Sequence, residues 1–184
     1  MKWVTRKTVH LDRVASPWLI TRFVDTQAEF VFIDPSEPWP DDATPFALPG
    51  AALGMHDHEG TTFDKILHAY GLDCPVLSDM ADIIRAAVRH VLEEDTSETP
   101  VGVLNHGIAL AMISEGLMLQ RDDDHSIIEA SMEVYDSLFA ALWARRSDPR
   151  TGRDVFWQRM DALRARWQQE LPLRRPKSAR GLGE

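Results

Sequence analysis

Four consecutive residues of the types that hold metal ions follow Met55: His56, Asp57, His58 and Glu59. Neutral imidazole and carboxylate groups are the usual ligands of zinc, iron and manganese in proteins. Alternate residues of an extended segment share a face, so the two histidines would point one way and the two acids the other. A metal site would therefore need ligands from elsewhere or an irregular loop. The alternative interpretation is a polar loop before a helix.

A second segment with acidic and imidazole side chains, 122–126, supplies candidates for the missing ligands. We predict that His56, Glu59 and His125 bind a divalent zinc, iron or manganese ion. Either Asp124 or His58 would complete its coordination. If one coordination position stays open, Glu59 could instead be the catalytic general base of a metal-dependent enzyme. The alternative assigns the acids to the positive end of a helix dipole and His125 to the surface.

Arginines form a second candidate site, with Arg6, Arg13 and Arg22 near Asp12. Arginine forks recognise oxyanions through paired hydrogen bonds, and a helix start predicted at Ser16-Pro17 would add backbone N–H groups. We predict that Arg13 and Arg22 hold a small oxyanion, with Asp12 beside them. The alternative is a structural salt bridge between Asp12 and an arginine. The remaining lone histidines are interpreted as hydrogen-bonded structural residues: His10, His68, His90 and His106.

The composition excludes several classes of protein. The chain has 184 residues and a net charge of -9, which disfavours binding to nucleic acid or anionic membranes. Its single cysteine, Cys74, permits neither an internal disulfide nor a cysteine-based metal site. We find no signal peptide and no apolar run of membrane-spanning length. We therefore expect a cytoplasmic protein with no membrane partner and no direct binding to DNA.

The hydrophobic pattern predicts an α/β (α+β) fold. Trp3–Thr5 and Glu29–Ile33 are predicted strands joined by a helix, which is typical of a parallel strand-helix-strand unit. A third short strand is predicted over 51–58, and a capping box at Thr61 and Asp64 opens the next helix. From residue 73 the pattern is helical, with a helix from about 103 to 119 predicted to be buried on most sides. We predict one domain over 1–171, with an α/β part (1–72) and a helical part (73–171), then a disordered basic tail, 172–184.

Three groups of residues resemble the motifs of a known family. Lys2–Arg6, Asp12–Ile20 and Arg22–Asp25 are similar to the opening signature of the chromate-resistance domain. This domain is the C-terminal portion of ChrB-type chromate-resistance regulators, also described as a chromate resistance exported protein. The middle motif of the family resembles the segment that contains His56, Glu59, Thr62 and Phe63, although the family often has a cysteine where this chain has Thr61. The late motif resembles Asp123–His125 and Tyr135–Leu138, so that the similarity covers roughly residues 1 to 143.

The resemblance implies a role in chromate handling, either sensing or accessory detoxification. We therefore predict a cytoplasmic metal- or oxyanion-binding protein whose ligand is chromate or a similar oxyanion. Two alternatives stay open: a metal-dependent redox or hydrolytic enzyme, and a protein-interaction module of a regulator. A homo-oligomer is compatible with the sequence.

Overall fold

A computed structural model describes residues 1–147 and Gln158 of the chain. Residues Met1–Leu142 form one compact unit. A second unit, Trp143–Glu184, lies mostly outside the described residues, as do the predicted end of the helical part and the predicted basic tail.

A small parallel sheet begins the chain, as the sequence predicts. Its three strands lie in the order β2-β1-β3, and β1 pairs in parallel with both neighbours. The apolar run of Glu29–Ile33 forms β2 over the predicted residues. The predicted third strand over 51–58 is wrong, because the edge position beside β1 is taken by residues from the proline-rich loop. The strand bounds are β1 Lys2–Arg6, β2 Glu29–Ile33 and β3 Ala43–Pro45.

Helices account for most of the remaining described residues, and the mostly helical C-terminal half is confirmed. The first helix begins at Asp12 and not at Ser16, so Pro17 lies inside it. Ile20–Val24 continue as a π-helical turn. The predicted capping box at the second helix is confirmed, because Thr61 and Asp64 exchange hydrogen bonds. The helix bounds are α1 Asp12–Leu19, α2 Thr62–Ala69, α3 Pro75–Val91, α4 Val101–Gln120 and α5 Asp124–Ser147.

The hydrophobic core lies between the sheet and the helices of the compact unit. The Trp18 ring is fully buried and lies parallel to Phe63, with ring centroids 6.5 Å apart. The same indole contacts Tyr135 of α5 at 6.0 Å. Burial of large aromatic side chains supplies much of the hydrophobic stabilisation of a small domain. The core therefore joins α1 to α2 and α5, and these elements carry the residues considered below.

Helix α4 differs from its prediction. It packs closely on α3 at Gly107, where a Cβ atom would lie 2.8 Å from the backbone nitrogen of Ala87. The opposite side is exposed, including Met112 at 67% and Leu119 at 88%, so the prediction of burial on most sides is wrong. By length and composition α4 is also the one helix in the described range that could cross a membrane, contrary to the expectation of no such segment. Core helices of soluble proteins meet the same criterion, so α4 alone assigns no location.

Candidate functional site

A cavity of about 270 Å³ lies where the end of β1, the start of α1, the loop before α2 and the end of α3 meet. Half of its lining is polar: Arg6, His10, Asp12, Arg13, His56 and Thr62. The other half is apolar: Leu11, Ala47, Met55, Val88, Val91 and Leu92. The polar half contains two guanidinium groups and two imidazoles beside one carboxylate. This excess of cationic and hydrogen-bond-donating groups is typical of a site for an anion.

The two arginines place like charges at the same cavity. Arg13 donates hydrogen bonds to the carbonyl oxygen of Lys7 at 3.0 Å and, more weakly, to that of Arg6 at 3.4 Å. Burial, and to a smaller extent the nearby charge of Arg6, lowers the pKa of Arg13 to about 10, against the opposing influence of Asp124 and Asp12. Desolvation and like-charge repulsion both disfavour the charged guanidinium, whereas an anion in the cavity would offset both effects.

Three hydrogen-bonding atoms of the cavity have no protein partner. In the part of the chain that the structure describes, Arg6 Nε, His10 Nε2 and His56 Nδ1 are buried and make no hydrogen bond. A buried polar atom without a partner costs about 1–3 kcal/mol, so three of them around one cavity call for an explanation. An anion that reached these residues would supply acceptors to Arg6 Nε and His10 Nε2, whereas His56 Nδ1 donates only when its ring is doubly protonated.

The two histidines are held differently. The Nε2 atom of His56 lies 3.2 Å from both carboxylate oxygens of Glu94. This contact leaves Nδ1 as the ring atom that is free for a ligand. Burial lowers the pKa of His10, and the charge of Arg13 adds to this effect against the opposing influence of Glu115. His10 is therefore neutral at pH 7 and can gain a proton when an anion approaches.

The segment between the arginines is held in an uncommon backbone conformation. Thr8 has a φ of 63° and Leu11 a φ of 45°, which non-glycine residues rarely adopt. The carboxylate of Asp124, at the start of α5, accepts hydrogen bonds from the backbone N–H groups of Thr8 at 3.0 Å and Val9 at 2.8 Å. The Ser114 hydroxyl oxygen on α4 accepts one from the Leu11 N–H at 3.1 Å. Residues of α4 and α5 thus fix the positions of Arg6, His10 and Arg13.

Asp12 lines the cavity, but its carboxylate is bound to the start of α2. Its two carboxylate oxygens accept hydrogen bonds from the backbone N–H groups of Thr62 at 2.7 Å and Phe63 at 3.0 Å, at the start of α2. Burial raises the pKa of Asp12, while these hydrogen bonds oppose that effect. Asp12 therefore positions α2 against α1, and among the described residues it makes no salt bridge to an arginine.

Arg22 lies outside the cavity, although the sequence grouped it with Arg13. Its guanidinium makes two hydrogen bonds to the carboxylate of Asp136 on α5, at 2.8 and 3.0 Å. The same carboxylate accepts a hydrogen bond from the Trp18 indole at 2.8 Å. The paired geometry uses both oxygens of the acid, so Arg22 joins α5 to the first helical segment and does not line the cavity.

The structure does not bring the predicted metal ligands together. His56 lines the cavity above, whereas His125 lies edge-on against Phe32 at 4.7 Å and lines a different cavity with Lys7 and the neighbouring aspartates. His58 and Glu59 are exposed, and the carboxylate of Asp124 is bound to backbone amides. No group of three or more metal-binding side chains occurs among residues 1–147 and 158. The predicted centre with ligands from 56–59 and 124–125 is therefore not assembled in this conformation.

His10 lines this cavity, although its sequence context indicates a structural residue. His56 and Arg13, which line the same cavity, belong to two separate sites in the prediction from sequence. The sequence does place His10 between Arg6 and Arg13, in the short connection over residues 7–11 that joins β1 to α1. The end of β1 and the start of α1 meet at one edge of the sheet, where ligands often bind in α/β folds, and the side chains between Arg6 and Arg13 lie at this edge.

Comparison with known proteins identifies one family. The model of the family described as "ChrB, C-terminal domain" matches residues 3–142. Protein ChrB of Cupriavidus metallidurans (strain ATCC 43123 / DSM 2839 / NBRC 102507 / CH34) is 30% identical over 138 residues, which is 75% of this chain. The matched region spans only 40% of the length of that relative. No solved structure is similar enough to count as a match.

Proposed function

The chain belongs to the ChrB C-terminal domain family, and from this premise we propose that it binds an oxyanion of the chromate type in the cavity lined by Arg6, His10, Arg13 and His56. The resemblance of its motifs to chromate-resistance proteins supplies the chemical class of the ligand. A tetrahedral dianion matches the two guanidinium groups in charge, and its oxygens accept hydrogen bonds from several directions. The proposed role is the recognition of chromate, as in a sensor or an accessory detoxification protein.

The observation that carries this proposal is the set of unpartnered nitrogen atoms around one cationic cavity. Arg6 Nε, His10 Nε2 and His56 Nδ1 come from three different places in the sequence. All three residues line the cavity that also contains Arg13, which is a property of the fold and not of any local motif. They carry three of the four buried unpartnered side-chain atoms among the described residues, and the fourth is Thr5 Oγ1.

The other predictions for this chain stay predictions. They are a bound zinc, iron or manganese ion, a catalytic role for Glu59, a homo-oligomeric state and a cytoplasmic location. The oxyanion proposal requires none of them. Within the cavity, the neutral His10 ring donates through Nε2 as its Nε2–H tautomer. His56, whose Nε2 faces the Glu94 carboxylate, donates through Nδ1 only as the imidazolium, which adds positive charge beside the arginines.

Equilibrium dialysis of the purified chain against chromate tests the proposal. We expect saturable binding of one chromate per chain, competition by sulfate, and a loss of affinity of about 30-fold or more in Arg6→Met and in His56→Phe. His58→Phe is the matched control, because His58 is exposed two residues away and does not line the cavity. Chromate binding that is equally strong in the two cavity variants would refute the proposal.

A further inference from the structure

The cavity is larger than an inorganic oxyanion requires. Its volume is about 270 Å³. A water molecule occupies about 30 Å³ of liquid, and a tetrahedral oxyanion with four oxygens takes roughly two to three times that volume. An inorganic ion held by the guanidinium groups would therefore fill roughly a third of the space. The remaining volume lies within the same cavity and has a lining of a different chemical character.

Apolar side chains line that remaining volume. Val88, Val91 and Leu92 come from the last turn of α3 and its end, and Met55 comes from the loop before α2. Three of them also reach solvent: Met55 is 37% exposed, Val91 39% and Leu92 56%. Single exposed apolar side chains are ordinary, but a contiguous group at the edge of a polar cavity is typical of a ligand site. The lining of the cavity thus combines cationic and apolar side chains.

We propose that the cavity binds an organic anion, in which a phosphate or sulfate head group carries a short apolar chain or ring of about four to six carbon atoms. The head group would take the place proposed above for the oxyanion, so this inference rests on that proposed function. The apolar part would lie against Val91, Leu92 and Met55, where it removes exposed apolar surface from water. Phosphate and sulfate esters share this chemistry, and the experiment separates them.

The structure gives the size of the expected effect. Each buried methylene group is worth roughly a fourfold gain in affinity. Because the apolar wall is open to solvent on one side, we expect n-butyl phosphate to bind about 10- to 50-fold more tightly than inorganic phosphate, which is well below the gain for complete burial. Neutral n-butanol lacks the head group and should show no measurable binding at the same concentrations.

Isothermal titration calorimetry with the full chain tests this inference. The probes are inorganic phosphate, n-butyl phosphate, n-butyl sulfate and n-butanol. In Val91→Thr and Leu92→Ser, both at exposed positions, we expect n-butyl phosphate to bind about 3- to 10-fold more weakly and inorganic phosphate to bind unchanged. Leu119→Ser is the control, because Leu119 is more exposed than either and does not line the cavity. Comparison of the affinities for the two esters shows whether the cationic side chains prefer a phosphate or a sulfate head group.

The possible failures are distinguishable. If inorganic phosphate or chromate binds and n-butyl phosphate gains nothing over inorganic phosphate, the organic ligand is refuted and the oxyanion site stands. An equal loss of affinity for inorganic phosphate and n-butyl phosphate in Val91→Thr and Leu92→Ser would also refute the organic ligand, because the apolar side chains would then act only through the fold. If none of the anions binds, both this inference and the proposed function are overturned.

Discussion

Replacement of Arg13 by methionine distinguishes a ligand-binding role of this arginine from a structural role. Burial and the nearby charge of Arg6 lower the pKa of this guanidinium to about 10, well below its ordinary value. At about 1.4 kcal/mol per pKa unit, this corresponds to roughly 3 kcal/mol of unfavourable free energy for the charged form. The side chain is partly exposed, so solvent screening reduces the value to about 1–2 kcal/mol.

The opposing contribution comes from the hydrogen bond that Arg13 donates to the Lys7 carbonyl at 3.0 Å. A hydrogen bond from a charged donor contributes about 1.5–3 kcal/mol, with the lower end appropriate near solvent. Methionine keeps most of the apolar stem and loses both the charge and the hydrogen bond. We therefore expect the free energy of unfolding of Arg13→Met to lie within about 1 kcal/mol of the original protein.

In contrast to its stability, the affinity of Arg13→Met for chromate should fall strongly. The variant loses one charged hydrogen-bond donor to the anion, which is worth about 2–3 kcal/mol, or roughly 30- to 150-fold in affinity. Urea unfolding followed by tryptophan fluorescence measures stability, because Trp3 and Trp18 are buried. Equilibrium dialysis on the same preparations measures chromate binding.

Arg22→Met is the matched control. Arg22 makes its paired contact with Asp136 and lies outside the cavity. We expect a loss of about 0.5–1 kcal/mol of stability and no change in chromate affinity. Two results would refute the reasoning: a loss of more than about 3 kcal/mol in Arg13→Met, which would make Arg13 structural, or equal chromate affinity in both variants.

Three further predictions concern the residues that surround the site. Asp12→Asn should lower the free energy of unfolding by about 2–3 kcal/mol in urea titrations. The two carboxylate oxygens of Asp12 accept hydrogen bonds from two N–H groups at the start of α2, and in asparagine an NH2 group would face one of these donors. Burial lowers the pKa of His10 in the folded protein. The stability that the neutral ring contributes is therefore complete above pH 6.5 and is lost as the pH falls through the lowered pKa. In the same urea titrations, the original protein should lose stability relative to His10→Gln between pH 7 and 5. A dianion favours the protonated ring, so sulfate, which does not titrate in this range, should bind more tightly at pH 5.5 than at 7.5, and this increase should be smaller in His10→Gln. Asp124→Ala frees the N–H groups of Thr8 and Val9, and we expect both a loss of about 1–3 kcal/mol and weaker chromate binding by dialysis.

Local signals in the sequence predict the sheet and several helix boundaries well. The apolar run Glu29–Ile33 and the short strand at Trp3 leave little choice but a parallel pair, since a helix joins them. The capping box at Thr61 is equally local and is confirmed. The third strand was missed because its residues, Ala43–Pro45, include a proline within a proline-rich loop, where a strand is seldom expected. Pairing with β1 overrides that local preference.

The candidate site was predicted only in fragments, for a physical reason. Arg13 and His56 were both selected from their chemistry, but one was assigned to an oxyanion site and the other to a metal site. Nothing in their spacing shows that the loop before α2 folds back onto the start of α1. That arrangement depends on Asp12, which holds the N-terminal end of α2 through hydrogen bonds at 2.7 and 3.0 Å. A buried carboxylate that joins two helices has the same sequence signature as one beside an arginine.

The position of Asp124 explains why the site cannot be understood from the first 70 residues alone. The uncommon backbone of Thr8 and Leu11 is held by hydrogen-bond acceptors on α5 and α4, namely Asp124 and Ser114. Without these acceptors, the segment between Arg6 and Arg13 would relax to a more ordinary conformation and the nitrogen atoms around the cavity would no longer converge. Asp124 resembles a metal ligand in sequence, but in the fold its carboxylate binds the backbone of Thr8 and Val9, between Arg6 and Arg13. The family match extends to residue 142 and includes Asp124 and the buried Tyr135.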